Sequence, residues 1–246
     1  MKIAWLCASY NRPRLLGNLI WAFEQQTYPD RELWILEDSG LLESREGLNW
    51  HLIGSNHRFN SVSHKRNILA TMAEDADVYM ITDDDDYYFP WATASVANAY
   101  EGGAFWTRAS QAMEWDMVGE TLTRHETFAR NSPQEPAYGG CWTFSRRAFQ
   151  AVGGYTEPKL GDDWTLANSI REKFGLHSDT ISEAFPLPWY IYSRGETGTY
   201  HSSEMGNEFY DLAGKLSLED PTAFKIKPLY DYEKLVIPDL VLPRKF

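Results

Sequence analysis

The stretch Val78-Tyr79-Met80-Ile81-Thr82-Asp83-Asp84-Asp85-Asp86 joins an apolar run to four consecutive aspartates. The apolar run predicts a buried strand, so the aspartates stand at its carboxyl end. Carboxylates this close raise each other's pKa unless a cation neutralises them, and a hard divalent ion prefers such oxygen ligands. Because open α/β sheets bind ligands at this end of their strands, we predict a metal site that holds a phosphorylated substrate. The alternative is an acidic surface loop or helix start, where aspartate is also common.

Composition restricts the class of protein. The chain has 246 residues, of which 43% are hydrophobic, so it can bury the core of one large domain or of a domain with an appendage. It has no apolar stretch of about 18 residues and no secretory signal, which predicts a soluble cytoplasmic protein without an integral membrane segment. The net charge of −12 counts against nucleic-acid binding. Cys7 and Cys141 are too few for a disulfide scaffold and lack zinc spacing, so we expect two small buried residues.

Strands and helices alternate in the first half of the chain, which predicts an α/β fold with a mainly parallel sheet flanked by helices. Apolar runs predict strands over residues 3–8, 33–36, 50–53 and 78–82. A first helix is expected from Arg12-Pro13, capped by Asn11 and ending near residues 27–29, and a second from Ser61 or Ser63.

The second half has no clear crossover pattern, so we expect mixed or antiparallel strands there. The predicted elements are helices over 91–100, 145–151 and 164–173 and extended segments over 104–108, 114–126 and 186–192. We predict one domain over residues 1–205, with a nucleotide-binding half of about 1–100 and an acceptor-binding half of about 101–205. Residues 206–246 are then an extension packed on the same domain.

Acidic groups fall in three places: at Asp38, at Asp83 to Asp86, and at Asp162-Asp163. A diphosphate leaving group needs its charge neutralised by a metal, and an alcohol nucleophile needs a base within hydrogen-bonding reach. Glycosyl transfer from a nucleotide sugar uses both. For Asp162-Asp163 the alternative is helix capping.

Several motifs in the same order resemble those of a known family. Ala8 to Pro13 resembles a Thr-Tyr-Asn-Arg strand-to-helix turn, and Gln26 to Pro29 resembles the usual end of the following helix. Other matches are Glu37-Asp38-Ser39-Gly40 to Asp-Asp-Gly-Ser, Ser63 to Asn67 to an Ala-Arg-Asn segment, and Gly153-Gly154-Tyr155 with Gly161-Asp162-Asp163-Trp164 to Gly-Gly-Phe and Glu-Asp-Trp. Over roughly residues 3–205 the chain therefore resembles a family-2 glycosyltransferase with the GT-A fold.

The resemblance implies a GT-A-like nucleotide-binding mixed sheet and assigns roles to particular residues. Asp83-Asp84-Asp85 becomes the Asp-X-Asp motif, in which Asp85 is the direct ligand of Mn²⁺ or Mg²⁺ and Asp83 lies toward the ribose or the metal. Asp163 becomes the catalytic base, with Asp162 beside it. The nucleotide-sugar site is implied to include Ser9, Tyr10, Asp38, Arg66, Asp83 and Asp84; for Tyr10, which could stack on the base, the alternative is a core tyrosine beside the sheet. His201 is implied as a further metal ligand, although a lone histidine is as often structural.

The implied reaction is a single displacement with inversion from a UDP-sugar. The Gln-X-X-Arg-Trp motif of processive members is missing, which favours a single addition. The acceptor is a glycan or another hydroxyl compound; modified viral DNA also suits a small enzyme, but the acidic balance counts against it. Trp106, Trp115, Trp142 and Trp164 include candidates for a sugar platform, or are core residues.

Two other classes of protein fit part of the pattern. A sugar nucleotidyltransferase shares the sheet and the metal but needs a glycine-rich loop near the amino terminus, where this chain has Ser9 to Pro13. A non-catalytic carbohydrate-binding or metal-stabilised module explains the acids and aromatics but needs no base at Asp163.

Overall fold

The computed structural model describes residues 1–109, 112–116, 121–125, 139–156, 162–175 and 189–194. Elements of the first half are β1 (Ile3–Ser9), α1 (Pro13–Glu24), β2 (Arg31–Glu37), β3 (Arg45–Gly47), β4 (Trp50–Gly54), α2 (Val62–Met72), β5 (Val78–Thr82), β6 (Tyr87–Tyr88) and α3 (Ala92–Glu101). They are followed by β7 (Trp106–Arg108), β8 (Ala112–Asp116), β9 (Thr121–His125), a 3₁₀ turn (Gly139–Cys141), β10 (Trp142–Ser145), α4 (Arg146–Val152), α5 (Asp162–Phe174) and β11 (Tyr190–Arg194).

A seven-stranded sheet in the order β3-β4-β2-β1-β5-β10-β7 forms the centre of the fold. The four adjacent strands β4, β2, β1 and β5 are parallel, so their carboxyl ends lie at one edge. The two antiparallel additions are β3 next to β4 and β10 between β5 and β7. The predicted α/β class and the mainly parallel first half are confirmed.

A second sheet has the order β6-β11-β8-β9. It pairs β6 and β11 antiparallel, β11 and β8 parallel, and β8 and β9 antiparallel. Mixed pairing in the second half agrees with the prediction. Because β6 follows the four aspartates directly in the chain, the acidic run lies where the two sheets meet.

Helix α1 forms because apolar residues recur at helical spacing and give the helix one buried face. Leu16, Leu19, Ile20 and Phe23 are fully or almost fully buried. Pro13 opens the helix, where a missing backbone N–H costs nothing. The prediction that Asn11 caps α1 is wrong: Arg12 is the N-cap residue, and Asn11 has a left-handed φ of 51° while its backbone N–H donates to Glu37.

Both cysteines are buried, as expected. Within the described part of the chain, no helix is long and apolar enough to cross a membrane. Three short strands, β3, β6 and β10, were not predicted. Each has only two to four residues, too few for a period of two to stand out in the sequence. The proposed extension over 206–246 lies outside the described residues, as do parts of the segments predicted over 114–126 and 186–192.

Candidate active site

The parallel strands bring distant residues to one edge of the sheet. Ser9 ends β1, Asp38 follows β2, and Asp83 follows β5. In the register Ser9 pairs with Glu37, and Thr82 at the end of β5 pairs with Cys7, so the three strand ends lie within two residues of one another. A ligand site at this edge is what the fold favours.

Asp84 is buried and bonded to the end of β1. It accepts a hydrogen bond from the Ser9 hydroxyl at 2.5 Å and one from Arg12 Nη1 at 2.7 Å. The same Arg12 nitrogen reaches Asp85 Oδ2 at 3.1 Å. One arginine, placed at the start of α1, therefore serves two carboxylates of the acidic run.

Asp85 carries an incompletely neutralised charge. Its pKa is raised to about 7, mainly by burial; Arg12 opposes the rise, and the neighbouring charges of Asp84 and Asp83 add to it. Burial alone would lower the pKa of Arg12, but the charges of Asp84 and Asp85 more than offset that and raise it. Electrostatically, Asp85 is a carboxylate that a cation would stabilise in its ionised form.

Asp86 faces the second sheet instead. Its two oxygens accept hydrogen bonds from the Tyr190 hydroxyl and from the Ser193 backbone N–H, the latter at 2.9 Å. Burial, together with the charges of Asp85 and Asp83, raises the pKa of Asp86 well above its ordinary value. Asp86 thus ties the acidic run to β11, which is a structural task.

Arg66 joins Asp83 to Asp163. Its guanidinium group, contributed by α2, lies 3.3 Å from Asp83 Oδ1 and 3.2 and 3.1 Å from the two oxygens of Asp163. Arg66 is only 2% exposed, whereas the side chain of Asp83 is 25% exposed. The Tyr155 hydroxyl donates a further hydrogen bond to Asp163 at 2.6 Å. The acidic run after β5 and the start of α5 therefore belong to one site.

Gly140, in the 3₁₀ turn, lies directly against this site. A Cβ at that position would be 2.5 Å from an oxygen of Asp86, 2.8 Å from the Tyr88 hydroxyl and 3.2 Å from an oxygen of Asp83. The Tyr88 hydroxyl also donates to the Gly140 carbonyl at 2.7 Å. Glycine is required here because no side chain fits between the backbone and the carboxylates.

Asp38 is surrounded by cationic partners. Its Oδ1 accepts from Lys65 at 2.8 Å and from Arg58 at 2.9 Å, and its Oδ2 accepts from the Phe59 backbone N–H at 3.0 Å. Burial lowers the pKa of Lys65, although Asp38 partly offsets this effect. The Arg58 guanidinium lies 3.4 Å from the centre of the Tyr10 ring. The residues predicted to meet a nucleotide base, Asp38 and Tyr10, are thus connected through Arg58.

The predicted tryptophans differ in burial. Trp106 and Trp142 are buried and stack on each other, which makes them core residues. Trp164 is half-buried, packs edge-on against Trp142 and follows Asp163 in the chain. Arg108 lies 5.6 Å from the centre of its ring. Of the three predicted tryptophans whose side chains the structure describes, Trp164 is thus the most exposed, while the side chain of Trp115 lies outside the described part of the structure.

The excess of negative charge at this site suits a divalent cation. Arg12 and Arg66 each pair with two carboxylates, so two guanidinium groups face four negative charges. No three histidine, cysteine or acidic residues within the described ranges stand together as a ready-made metal site. His201, predicted as a further ligand, lies outside those ranges. Asp162 is the first residue of α5, and Asp163 is the second.

Several residues of the site were missed from sequence. Arg12 and Lys65 stand inside the quoted motifs, so their positions gave a signal that was not used. No signal in the sequence pointed to the other three residues. The contacts of Arg58 and Tyr190 join segments 20 and 104 residues apart, and Gly140 matters because a side chain there would meet the carboxylates.

The fold is GT-A-like, which confirms the class predicted from sequence. Among solved structures it resembles S. aureus TarS 1-349, with a TM-score of 0.59 and 13% identity over 78% of this chain and 60% of that one. The complex of the same protein with UDP-GlcNAc gives a TM-score of 0.59 over 88% of this chain and 65% of that one. The mannosyltransferase PcManGT from Pyrobaculum calidifontis, in complex with GDP-Man and Mn²⁺, gives 0.56 at 15% identity over 78% and 56%.

The chain thus spans less than two thirds of the length of these solved chains. No protein-family model matches the sequence, and no curated protein sequence matches it either.

Proposed function

We propose that the chain is a glycosyltransferase of the family-2, Asp-X-Asp type that moves a sugar from a nucleotide-sugar donor to an acceptor hydroxyl. One observation carries the proposal: Arg66 contacts both Asp83 and Asp163. It puts a carboxylate suited to the leaving-group end and a carboxylate suited to proton removal in one site. Structures of similar fold that hold UDP-GlcNAc or GDP-Man support this assignment.

Asp163 is the base. It takes the proton of the acceptor hydroxyl while the acceptor oxygen bonds to the anomeric carbon, and the bond from that carbon to the diphosphate oxygen breaks. Attack from the face opposite the leaving group inverts the anomeric configuration. Arg66 pairs with Asp163 and holds its carboxylate at the position where it accepts the proton.

Asp85 and Asp83 would hold Mn²⁺ or Mg²⁺, with His201 as a further proposed ligand. When bound, the ion supplies positive charge to the departing diphosphate. Asp85 suits this role because its burial leaves a charge that Arg12 does not fully neutralise. Arg12 lies beside Asp85 and adds a second positive charge at the same end of the site.

The nucleotide lies along the ends of β1 and β2. In this proposal Asp38 and the Tyr10–Arg58 stack contact the base, and Ser9, Asp84 and Asp83 contact the ribose and diphosphate; the contacts that join Tyr10 to Arg58, Arg58 to Asp38 and Ser9 to Asp84 support the assignment. A UDP-sugar is the proposed donor. The acceptor is a glycan or another hydroxyl compound added to once, with modified viral DNA a less favoured choice because of the net charge of −12.

Nucleoside diphosphate release tests the proposal. UDP-, GDP- and TDP-sugars are incubated with the protein and Mn²⁺ or EDTA, without acceptor, so that water replaces the acceptor hydroxyl. We expect release from one donor with Mn²⁺ only. Asp163→Asn should lower the rate at least about 100-fold, in line with the loss of a general base, while leaving donor binding intact.

The matched control is Asp75→Asn, which makes the same change at an exposed aspartate paired with Lys2. It should release diphosphate at the wild-type rate. No release from any donor, together with no metal-dependent binding of UDP, would contradict the proposal and favour a binding module.

A further inference from the structure

The hydroxyl of Tyr155 is bonded to the proposed base. It donates to Asp163 Oδ1 at 2.6 Å, and Tyr155 is only 3% exposed. A short hydrogen bond to a carboxylate is among the stronger kinds in proteins. Arg66 Nη1 approaches the same carboxylate at 3.2 Å from Oδ1 and 3.1 Å from Oδ2. Two donors from separate elements therefore fix the plane of the Asp163 carboxylate.

Asn67 holds Tyr155 in place. Its side-chain nitrogen donates to the Tyr155 carbonyl at 2.8 Å, and its side-chain oxygen accepts from the Tyr155 N–H at 2.9 Å. This pair of hydrogen bonds closes a ring between the side chain and the backbone. Since Asn67 follows Arg66 on α2, one helix controls the carboxylate both directly and through Tyr155.

The surroundings leave Tyr155 little freedom. Gly154 has a left-handed φ of 74°, and a Cβ there would be 2.6 Å from the Asn67 side-chain oxygen. The ring of Tyr155 packs edge-on against Phe144 and Phe149. The direction of the hydroxyl is therefore set by the packed core and not by a flexible loop.

We propose that Tyr155 is a positioning residue for Asp163, holding Oδ1 so that Oδ2 is the oxygen that receives the acceptor's proton. The inference rests on the proposed function. A buried hydroxyl that only filled space would not need the two hydrogen bonds by which Asn67 fixes its backbone. Hydrogen bonds that orient a catalytic group act on the rate of the chemical step more than on donor binding.

The test is Tyr155→Phe, which removes the hydroxyl alone. With the identified donor, we expect kcat for diphosphate release to fall about 10-fold while KM is unchanged. In a plot of kcat against pH, the acid limb should shift to higher pH by about one unit, because the ionised form of Asp163 loses a charge-assisted hydrogen bond. Within the described residues, the charged groups near Asp163 include Arg66 from α2, Asp83, which pairs with Arg66, and Arg108 from β7, which lies against Trp164.

Tyr79→Phe is the matched control. The Tyr79 hydroxyl is also buried, donates to a carbonyl on α2 at 3.1 Å, and belongs to a ring that packs on Phe149. This variant should keep the wild-type kcat and pH profile. Asn67→Ser, which removes the clamp but keeps the Tyr155 hydroxyl, should lower kcat in the same direction.

The possible outcomes distinguish the positioning role of Tyr155 from the proposed function. If the wild type releases diphosphate but Tyr155→Phe matches Tyr79→Phe in kcat and in the acid limb, the positioning role is wrong and the proposed function stands. If the wild type releases no diphosphate from any donor and shows no metal-dependent binding of UDP, the proposed function and the positioning role fail together. A lower kcat with an unmoved acid limb in both tyrosine variants would indicate a packing effect and would also overturn the role.

Discussion

The backbone of Gly140 lies so close to the carboxylates of Asp86 and Asp83 that there is no room for a side chain. Gly140→Ala would place a methyl group 2.5 Å from Asp86 and 3.2 Å from Asp83, so the carboxylates must move. We expect diphosphate release to fall about 100-fold, since displacements of an ångström in a site have effects of that size. The assay is the donor panel described above, with circular dichroism to verify the fold.

Gly102→Ala provides the comparison for this variant. Gly102 ends α3 with φ −75°, a conformation that alanine adopts readily, and its nearest contact is a backbone oxygen at 3.2 Å. Its activity should equal that of the wild type. Equal activity in Gly140→Ala would mean that the carboxylates near Gly140 take no part in the reaction.

Single residues show where sequence reasoning reaches its limit. The aspartates at 38, 83 to 86 and 163 could be singled out because each follows a strand or begins a helix. The separate task of each aspartate could not be predicted from the sequence. Asp86 looks equivalent to Asp85 in the sequence, but only the fold reveals that Tyr190, 104 residues away, bonds to it.

Helix α2 carries three residues that reach the site: Lys65, Arg66 and Asn67. Its first turn is fixed by Ser61, an extended residue whose hydroxyl accepts from the His64 N–H at 3.1 Å. Ser61→Ala should lower the free energy of unfolding by about 1 kcal/mol, the usual value of such a cap. Thermal unfolding should then show a melting temperature about 2–4 °C lower.

Ser169→Ala controls for the loss of a serine hydroxyl. Ser169 lies half-buried inside α5, and its hydroxyl donates to the carbonyl one turn before it, so the loss of this hydroxyl should change stability by less than about 0.5 kcal/mol. If both variants melt at the same temperature, Ser61 does not stabilise α2.

Elements with strong local signals were predicted well, and those set by tertiary contacts were not. Strand β5 has the predicted bounds, and Ser61 rather than Ser63 caps α2, which the sequence left open. By contrast, β10 has four residues after a Gly-Gly-Cys turn, and it is a strand because β5 and β7 flank it. Pairing between distant segments leaves little trace in local periodicity.

Across the whole molecule, the acidic run makes stability depend on pH. Burial raises the folded-state pKa of Asp85 to about 7, against about 4 in an unfolded chain. Between these values the folded protein binds more protons than the unfolded one, so stability falls as pH rises from about 4 to about 7. We expect Asp85→Asn, measured by thermal unfolding in EDTA at pH 5 to 8, to weaken this fall and to melt higher at pH 8.

Asp75→Asn serves as the reference, because Asp75 is exposed and its hydrogen bond from Lys2 lowers its pKa. That variant should keep the wild-type slope between pH 5 and pH 8. An unchanged slope in Asp85→Asn would contradict a raised pKa at Asp85.

Strand β10 constrains how hybrid enzymes could be built from this chain. It returns from the second half and inserts between β5 and β7, pairing Thr143 with Met80 on one side and Thr107 on the other. A recombination point after residue 100 would take β5 from one parent and β10 from the other. The edge of β5 would then lack its native neighbour. The two halves of the chain therefore cannot be exchanged as modules at that boundary; chimeras must carry β5, β7 and β10 from one parent.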